Sequence, residues 1–353
     1  MYPRLNINIK HLLANVDFMY QEFDYLDELY VVTKAYCANI DIIDELYHHN
    51  VRYFADSRIA NIKKIKEKYP DTHTLHLRLP MHSEVDEIVK YANRSLNSEL
   101  STIKLLNDAA IKQNKTHEII LMIDVGDLRE GIMYDSDYIS FCQKILEFSN
   151  IKLVGIGTNV TCYGSVIPTK ETLNLLIDIK KDIENTLNIE LPIISGGNSS
   201  SVYLHFENEM PAEINNLRCG DIFITGTEAA YLKQIKGMYY DIFQLEAEII
   251  ELKNKPSYPI GKLGVNAFGE TVEYEDVGIH TRAILAIGRQ DVHFDNIQPL
   301  EKDIKVLGSS SDHLILEVPS NKYQVGDTIK FSLSYGGILS LSTSEYVKKN
   351  IIK

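Results

Sequence analysis

Between Leu29 and about Thr225 the chain alternates short β-prone runs with amphipathic stretches, and this alternation restricts the fold more than any other feature. Strands are predicted at Leu29–Lys34, Tyr53–Asp56, Thr74–Leu79, Arg94–Leu96, Glu118–Ile123, Leu153–Thr158, Pro192–Ser195 and Leu217–Ile224. Helices are predicted at Ile40–His49, Ile59–Tyr69, Ser83–Tyr91, Thr102–Lys112, Tyr138–Phe148 and Lys170–Leu187. Their apolar residues recur at three- and four-residue spacing, the period of a helix with one buried face. Eight strand-and-helix units point to an α/β fold, a (β/α)8 TIM barrel. A doubly wound open sheet competes. The count of eight, with no early Gly-x-Gly-x-x-Gly after a strand, favours the barrel.

After about Tyr231 the texture changes. Phe243–Leu252, Ala283–Ile287, His313–Val318 and Thr328–Leu333 read as strands. They are separated by turn chemistry such as Lys255-Pro-Ser257, Ala267-Phe-Gly269 and Val325-Gly-Asp327. The expected organisation is a barrel over 1–230 and an all-β C-terminal domain over 231–353, with residues 1–8 pairing with the β domain. A net charge of −13 disfavours nucleic acid or an anionic membrane as partner, since both need a basic face. Cys37, Cys142, Cys162 and Cys219 are scattered without Cys-x-x-Cys spacing, so reduced thiols and no metal are expected. No signal-peptide core opens the chain and no run reaches membrane-spanning length, which predicts a cytoplasmic protein.

In a barrel of this kind function collects at the C-terminal ends of the strands. Lys34 lies at the first such end, where an amine can serve as a nucleophile once it is partly desolvated. The fifth end carries Asp124-Val-Gly-Asp-Leu-Arg129, the sixth Gly157-Thr-Asn159, and the eighth Leu217-Arg-Cys-Gly-Asp221. The seventh runs into Ser195-Gly-Gly-Asn-Ser-Ser-Ser201. That turn reads either as a phosphate cradle of amides and hydroxyls or as a simple N-capped turn. Arg129 and Arg218 taken singly are ordinary surface arginines. With Lys34 and the serine turn they form a set.

Further motifs carry a resemblance that covers nearly the whole length. They are Val32-Thr-Lys34, Ala55-Asp-Ser-Arg58, Gly126-Asp-Leu-Arg-Glu-Gly131, Gly157-Thr-Asn-Val-Thr-Cys-Tyr-Gly164, Ser195-Gly-Gly-Asn-Ser-Ser200, Ala286-Ile-Gly-Arg-Gln-Asp291 and Ser309-Ser-Ser-Asp-His313. With them the chain resembles the fold-type III pyridoxal phosphate enzymes of the alanine racemase superfamily, and within it the ornithine racemase group.

The resemblance implies an amino-acid racemase that uses pyridoxal 5'-phosphate and acts on ornithine or a related basic amino acid, as a homodimer. Lys34 would hold the cofactor and act as the base on one face of the substrate α-carbon. Ser199, Ser200 and the backbone at Gly220 and Asp221 would hold the phosphate, and Tyr346 either joins them or packs. Arg218 would face the pyridine nitrogen; basic amino-acid decarboxylases of similar fold have a carboxylate there, so Arg218 favours racemisation. Arg129 would contact the cofactor phenolate or the substrate carboxylate. Asn159 stands where alanine racemases usually have a histidine, and Met122 where many have a modified lysine.

Alanine racemases place a tyrosine on the opposite face of the substrate, and here the matching stretch is Gly288-Arg-Gln-Asp-Val292. Asp312 and His313 are the replacements considered, with Ser311 beside them and Arg289 as a further substrate ligand. For a substrate ammonium, Asp56, Glu99, Asp127 and Asp291 are candidates by position. An aldolase or dehydratase on the same scaffold, or a pyridoxal phosphate carrier, are the alternative readings.

Overall fold

A strand covered on both faces reads as a continuous buried run, and Glu28–Val32 is buried at every residue. The computed structural model describes residues Met1–Lys353. They form two compact units, His11–Tyr240 and Met1–Lys10 with Asp241–Lys353. The division falls at 240/241 against the expected 230/231, because residues 231–240 are tied back to the barrel unit. Asn15 Oδ1 accepts from Tyr239 N at 2.8 Å, and its Nδ2 donates to Tyr239 O at 2.8 Å.

After β1 (Arg4–Asn8), the strands of the larger unit are β2 (Glu28–Val32), β3 (Tyr53–Asp56), β4 (His73–His76), β5 (Arg94–Asn97), β6 (His117–Asp124), β7 (Ile132–Met133), β8 (Ile151–Gly157), β9 (Ile193–Ser195) and β10 (Asn216–Cys219). All except β1 and the short β7 close into an eight-stranded parallel barrel, with β5 paired to β6 and β10 to β2. Alternate residues fill its interior: Tyr30 and Val32, Ala55, Leu75, Leu96, Ile120 and Met122, Val154 and Ile193. Outside, Ile59, Ile62, Ile88, Val89, Leu106, Ala109 and Ala110 join three of the surrounding helices. Several predicted strands end early, Thr74–Leu79 at His76 among them. β2 stops at Val32, and Lys34 begins a 3-10 turn, Lys34–Tyr36. β10 stops at Cys219, and Asp221–Thr225 is helical.

The smaller unit is a mainly antiparallel sheet of β1, β11 (Phe243–Pro256), β12 (Ile279–Leu285), β13 (Ile297–Pro299), β14 (Lys305–Ser309), β15 (Leu314–Glu317), β16 (Thr328–Leu333) and β17 (Lys348–Ile352). β1 pairs antiparallel with β11 and parallel with β17. This β domain also carries one helix, Tyr335–Thr343, capped by Ser334 Oγ. Its paired glycines are there for space: a Cβ on Gly337 would lie 2.6 Å from Asn296 O. No helix of the chain is long and apolar enough to cross a membrane.

Candidate active site

The interior series Tyr30, Val32 continues to Lys34 at the barrel mouth. Thr33 anchors the turn: its N donates to Ala55 O at 2.9 Å and its Oγ1 to Asp56 Oδ2 at 2.6 Å. Asp56 also accepts from Arg58 N and Asn61 Nδ2, at 2.8 and 3.1 Å. The turn then passes through Cys37 and Ala38 at φ +55° and +43°, a sparsely populated conformation for non-glycine residues. Lys34 Nζ makes no hydrogen bond or ion pair and is exposed, so the expected partial desolvation is not supplied by this chain's own side chains.

Arg218 is in register with Tyr30 and shares its inward face. Its guanidinium donates to Ser195 Oγ and, at 2.6 Å, to Thr158 O. Burial pushes Arg218 down to about 10, and it remains protonated at neutral pH. No carboxylate pairs with it. Arg129 lies in the same field and is ion-paired with Glu130. Burial opposes the charge of Arg129, but the Glu130 hydrogen bond together with the negative charges of Cys162, Glu130 and Asp127 outweighs it and raises the pKa.

The serine turn is held by side chains as well as backbone. Asn198 Oδ1 accepts from Ser200 N at 2.7 Å, and Asn198 Nδ2 donates to Asn159 Oδ1 and Val160 O at 3.0 and 2.9 Å. Gly197, at φ +113°, opens the turn. Ser199 Oγ accepts from Gly220 N and Ile222 N at 3.2 and 3.4 Å, which brings the turns after β9 and β10 together. Asn159 Nδ2 donates to Cys162 Sγ at 3.0 Å. Asp221 follows, its Oδ1 buried without a partner. Burial raises its carboxyl to about 6, and the Thr225 hydroxyl and the charge of Lys34 hold it from rising further.

Lys34, Arg129, Asn159, Ser199, Ser200, Arg218, Gly220 and Asp221 thus all lie on the C-terminal side of one barrel. Tyr346, Arg289, Ser311, Asp312 and His313 lie in the sheet unit. Within it, Asp312 Oδ1 meets His313 Nδ1 at 3.1 Å, and Arg289 is bound bidentately by Glu270 at 2.8 Å. Three of the four carboxylates considered for a substrate ammonium are already engaged. Asp56 is buried by its clamp on Thr33. Asp127 is buried and accepts from Tyr163 N and Val166 N. Asp291 accepts from Ser344 Oγ at 2.5 Å. Glu99 is exposed at a helix N-terminus and makes no cap hydrogen bond. Thr158 and Ser195, which orient Arg218, were not among the expected site residues; their position at the ends of β8 and β9 was the available signal.

The alanine racemase N-terminal domain family model matches residues 7–228. The chain is 47% identical over 355 residues, covering 100% of both proteins, to ornithine racemase of Acetoanaerobium sticklandii. It is 35% identical over 351 residues to lysine racemase of Thermotoga maritima, covering 99% of this chain and 98% of that one. The crystal structure of alanine racemase from Bartonella henselae with covalently bound pyridoxal phosphate has a TM-score of 0.76 at 16% identity, covering 100% of both chains. The chain belongs to the alanine racemase family, and within it to the group of the ornithine and lysine racemases.

Proposed function

We propose that this protein is a pyridoxal phosphate-dependent amino-acid racemase that interconverts L- and D-ornithine by removing and returning the α-proton. One observation carries the reading: an unpartnered amine, Lys34, and a buried arginine without a carboxylate partner, Arg218, sit at the mouth of one barrel. The two full-length racemase relatives support the reaction, and the ornithine racemase the substrate.

The donor set fits the cofactor. Lys34 would offer an amine to its aldehyde, Arg218 a fixed cation to its ring, and Ser199, Ser200 and the backbone at Gly220 and Asp221 a cradle for its phosphate, the Gly220 amide turning from Ser199 Oγ to the phosphate. Tyr346 is the further phosphate ligand in this reading. When bound, the cofactor withdraws electrons from the substrate α-carbon and makes its proton acidic. Lys34 takes and returns that proton on one face. Arg218 donates hydrogen bonds but does not hand over its proton at working pH, which keeps the ring a modest electron sink and favours proton return. Arg129 would hold the cofactor phenolate or the substrate carboxylate, and Asn159 would contact the ring. Asp312 or His313 would serve the other face, and an imidazole is the side-chain type better suited to proton exchange. Ser311 and Arg289 are the substrate ligands of the same unit.

We take the protein to act in the cytoplasm as a homodimer. Apolar side chains left exposed along residues 258–279, including Ile260 at 92% and Val265 at 66%, supply surface that a second copy would cover. Lys34→Ala tests the assignment. Expected is the joint loss of covalently bound cofactor absorbance and of ornithine racemisation measured by polarimetry; racemisation that persists refutes it.

A further inference from the structure

An unbroken line of buried hydrogen bonds joins Arg218 to the opposite end of the barrel. Arg218 Nη1 donates to Ser195 Oγ, and Ser195 Oγ donates to Asn216 Oδ1. Asn216 Nδ2 donates to Glu28 Oε2 at 2.8 Å. Arg94 Nη1 reaches the same oxygen at 2.7 Å, and its Nη2 reaches Glu118 Oε2 at 2.8 Å. All of these residues except Glu118 are buried.

The line has a direction. Arginine can only donate, so Ser195 accepts from it and gives its own proton to the Asn216 carbonyl. The same amide then turns its nitrogen to Glu28. Every link from Arg218 onward donates toward that carboxylate.

Within the line itself, the charges balance when both ends are counted. At the floor, Arg94 contributes one positive charge against the two negative charges of Glu28 and Glu118. Lys152 reaches Glu118 at 3.5 Å but is largely exposed, so solvent screens it. Burial, followed by the charge of Arg94, lowers the pKa of His73. The strongest charges acting on Arg218 are those of its own end, Glu130 first and then Arg129, Cys219 and Cys162; Glu28 reaches it through the hydrogen-bonded line. An apolar floor would pack as well at lower desolvation cost, so this buried line needs a reason.

We propose that Glu28 is a positioning residue for Arg218: through Asn216 and Ser195 it fixes the guanidinium and supplies the counter-charge that lets a protonated arginine face the cofactor ring nitrogen. The last step rests on the pyridoxal phosphate reading. The link between Glu28 and Arg218 does not.

Two measurements separate them. In the cofactor-free protein, E28Q keeps the shape and both acceptor contacts and removes only the charge. E28Q should lower Tm in the Arg218 background and by clearly less in the R218Q background, because the charge it balanced is gone. Strictly additive shifts overturn the link. In the cofactor-loaded protein, the resonance of ring-15N-labelled pyridoxal phosphate should be displaced by E28Q. Adding N216D, which returns a carboxylate one link nearer, should move it back. Turnover should fall about 10-fold with KM little changed. A resonance unmoved by E28Q overturns the positioning claim, since a merely structural glutamate would lower Tm alone. Wild-type protein that shows no bound-cofactor resonance refutes the cofactor reading and leaves the stability cycle to judge the link.

Discussion

Asp221 offers a sharp test of the electrostatics at the barrel mouth. Its carboxyl rises from 3.8 to about 6, chiefly through burial. Below about pH 4 both folded and unfolded chains hold the proton, and the group costs nothing. Between about pH 4 and 6 the folded chain alone keeps it. Above that both are ionised and the folded state bears the full penalty, so stability from this residue is present at low pH and is lost as pH rises. A difference of about 2 pKa units corresponds to about 3 kcal/mol as an upper bound. Asp221→Asn removes the charge and leaves one buried polar position unpaired, so part of the gain is retained by the fold. For a barrel unit of 230 residues, from His11 to Tyr240, about 3 kcal/mol corresponds to roughly 6 °C in Tm. Differential scanning calorimetry of cofactor-free protein should show the variant and wild type melting together at pH 4. The variant should then melt progressively higher, levelling off above pH 7. A constant difference across this range, or one that grows toward acid, refutes the argument. Lys34→Ala should move the window to higher pH, because Lys34 attracts the ionised form.

Other expectations follow from buried groups and loop anchors. His76 is buried at the end of β4 with neither ring nitrogen in a hydrogen bond, and burial lowers it to about 4. Its folded pKa is depressed, so it contributes stability above about pH 6.5 that is lost as pH falls toward 4. His76→Leu should therefore resist acid unfolding, by roughly 3 kcal/mol at most near pH 4, with little gain at pH 8 in urea titrations. Asp127→Asn cannot accept from both Tyr163 N and Val166 N, so about 1–3 kcal/mol should be lost. Hydrogen exchange should quicken over residues 159–166, and unchanged protection there would count against the anchor. If His313 serves the face opposite Lys34, His313→Ala should still exchange the α-hydrogen of one ornithine enantiomer in heavy water without inverting it. The same behaviour in Asp312→Ala, with a normal His313→Ala, would assign the role to Asp312.

Sequence periodicity revealed the barrel because each strand places alternate residues inside and the run is buried on both faces. Tyr53–Asp56 and Lys170–Leu187 have the expected bounds. The misjudged ends have local causes. Leu217–Ile224 is apolar enough for one strand, but the amides of Gly220 and Ile222 are taken by Ser199, 21 and 23 residues earlier in the chain, and the backbone turns into a helix. Tyr335–Thr343 escaped notice because two glycines and several hydroxyl residues are weak helix formers, and its packing against Asn296 cannot be seen in one dimension. Asp56 and Asp127 looked available to a substrate ammonium by position. Short carboxylates at strand ends readily bind nearby backbone amides, and here they do.

The chemistry-bearing residues divide along a similar line. Lys34 was legible because it follows an apolar run into the barrel mouth, so one strand suffices to place it; Arg218, preceded by Asn215-Asn216-Leu217, stood out from the Arg-Cys-Gly segment and the family resemblance. Ser195, Asn216, Glu28 and Arg94 come from four separate strands, and they meet only because β9, β10 and β2 lie side by side with Asn216 opposite both Ser195 and Glu28. A shift of one residue in either pairing would turn those side chains to the helix layer and break the line to Arg218. An amine at a barrel mouth can thus be found from a segment, whereas the polar support beneath Arg218 is a property of the closed register.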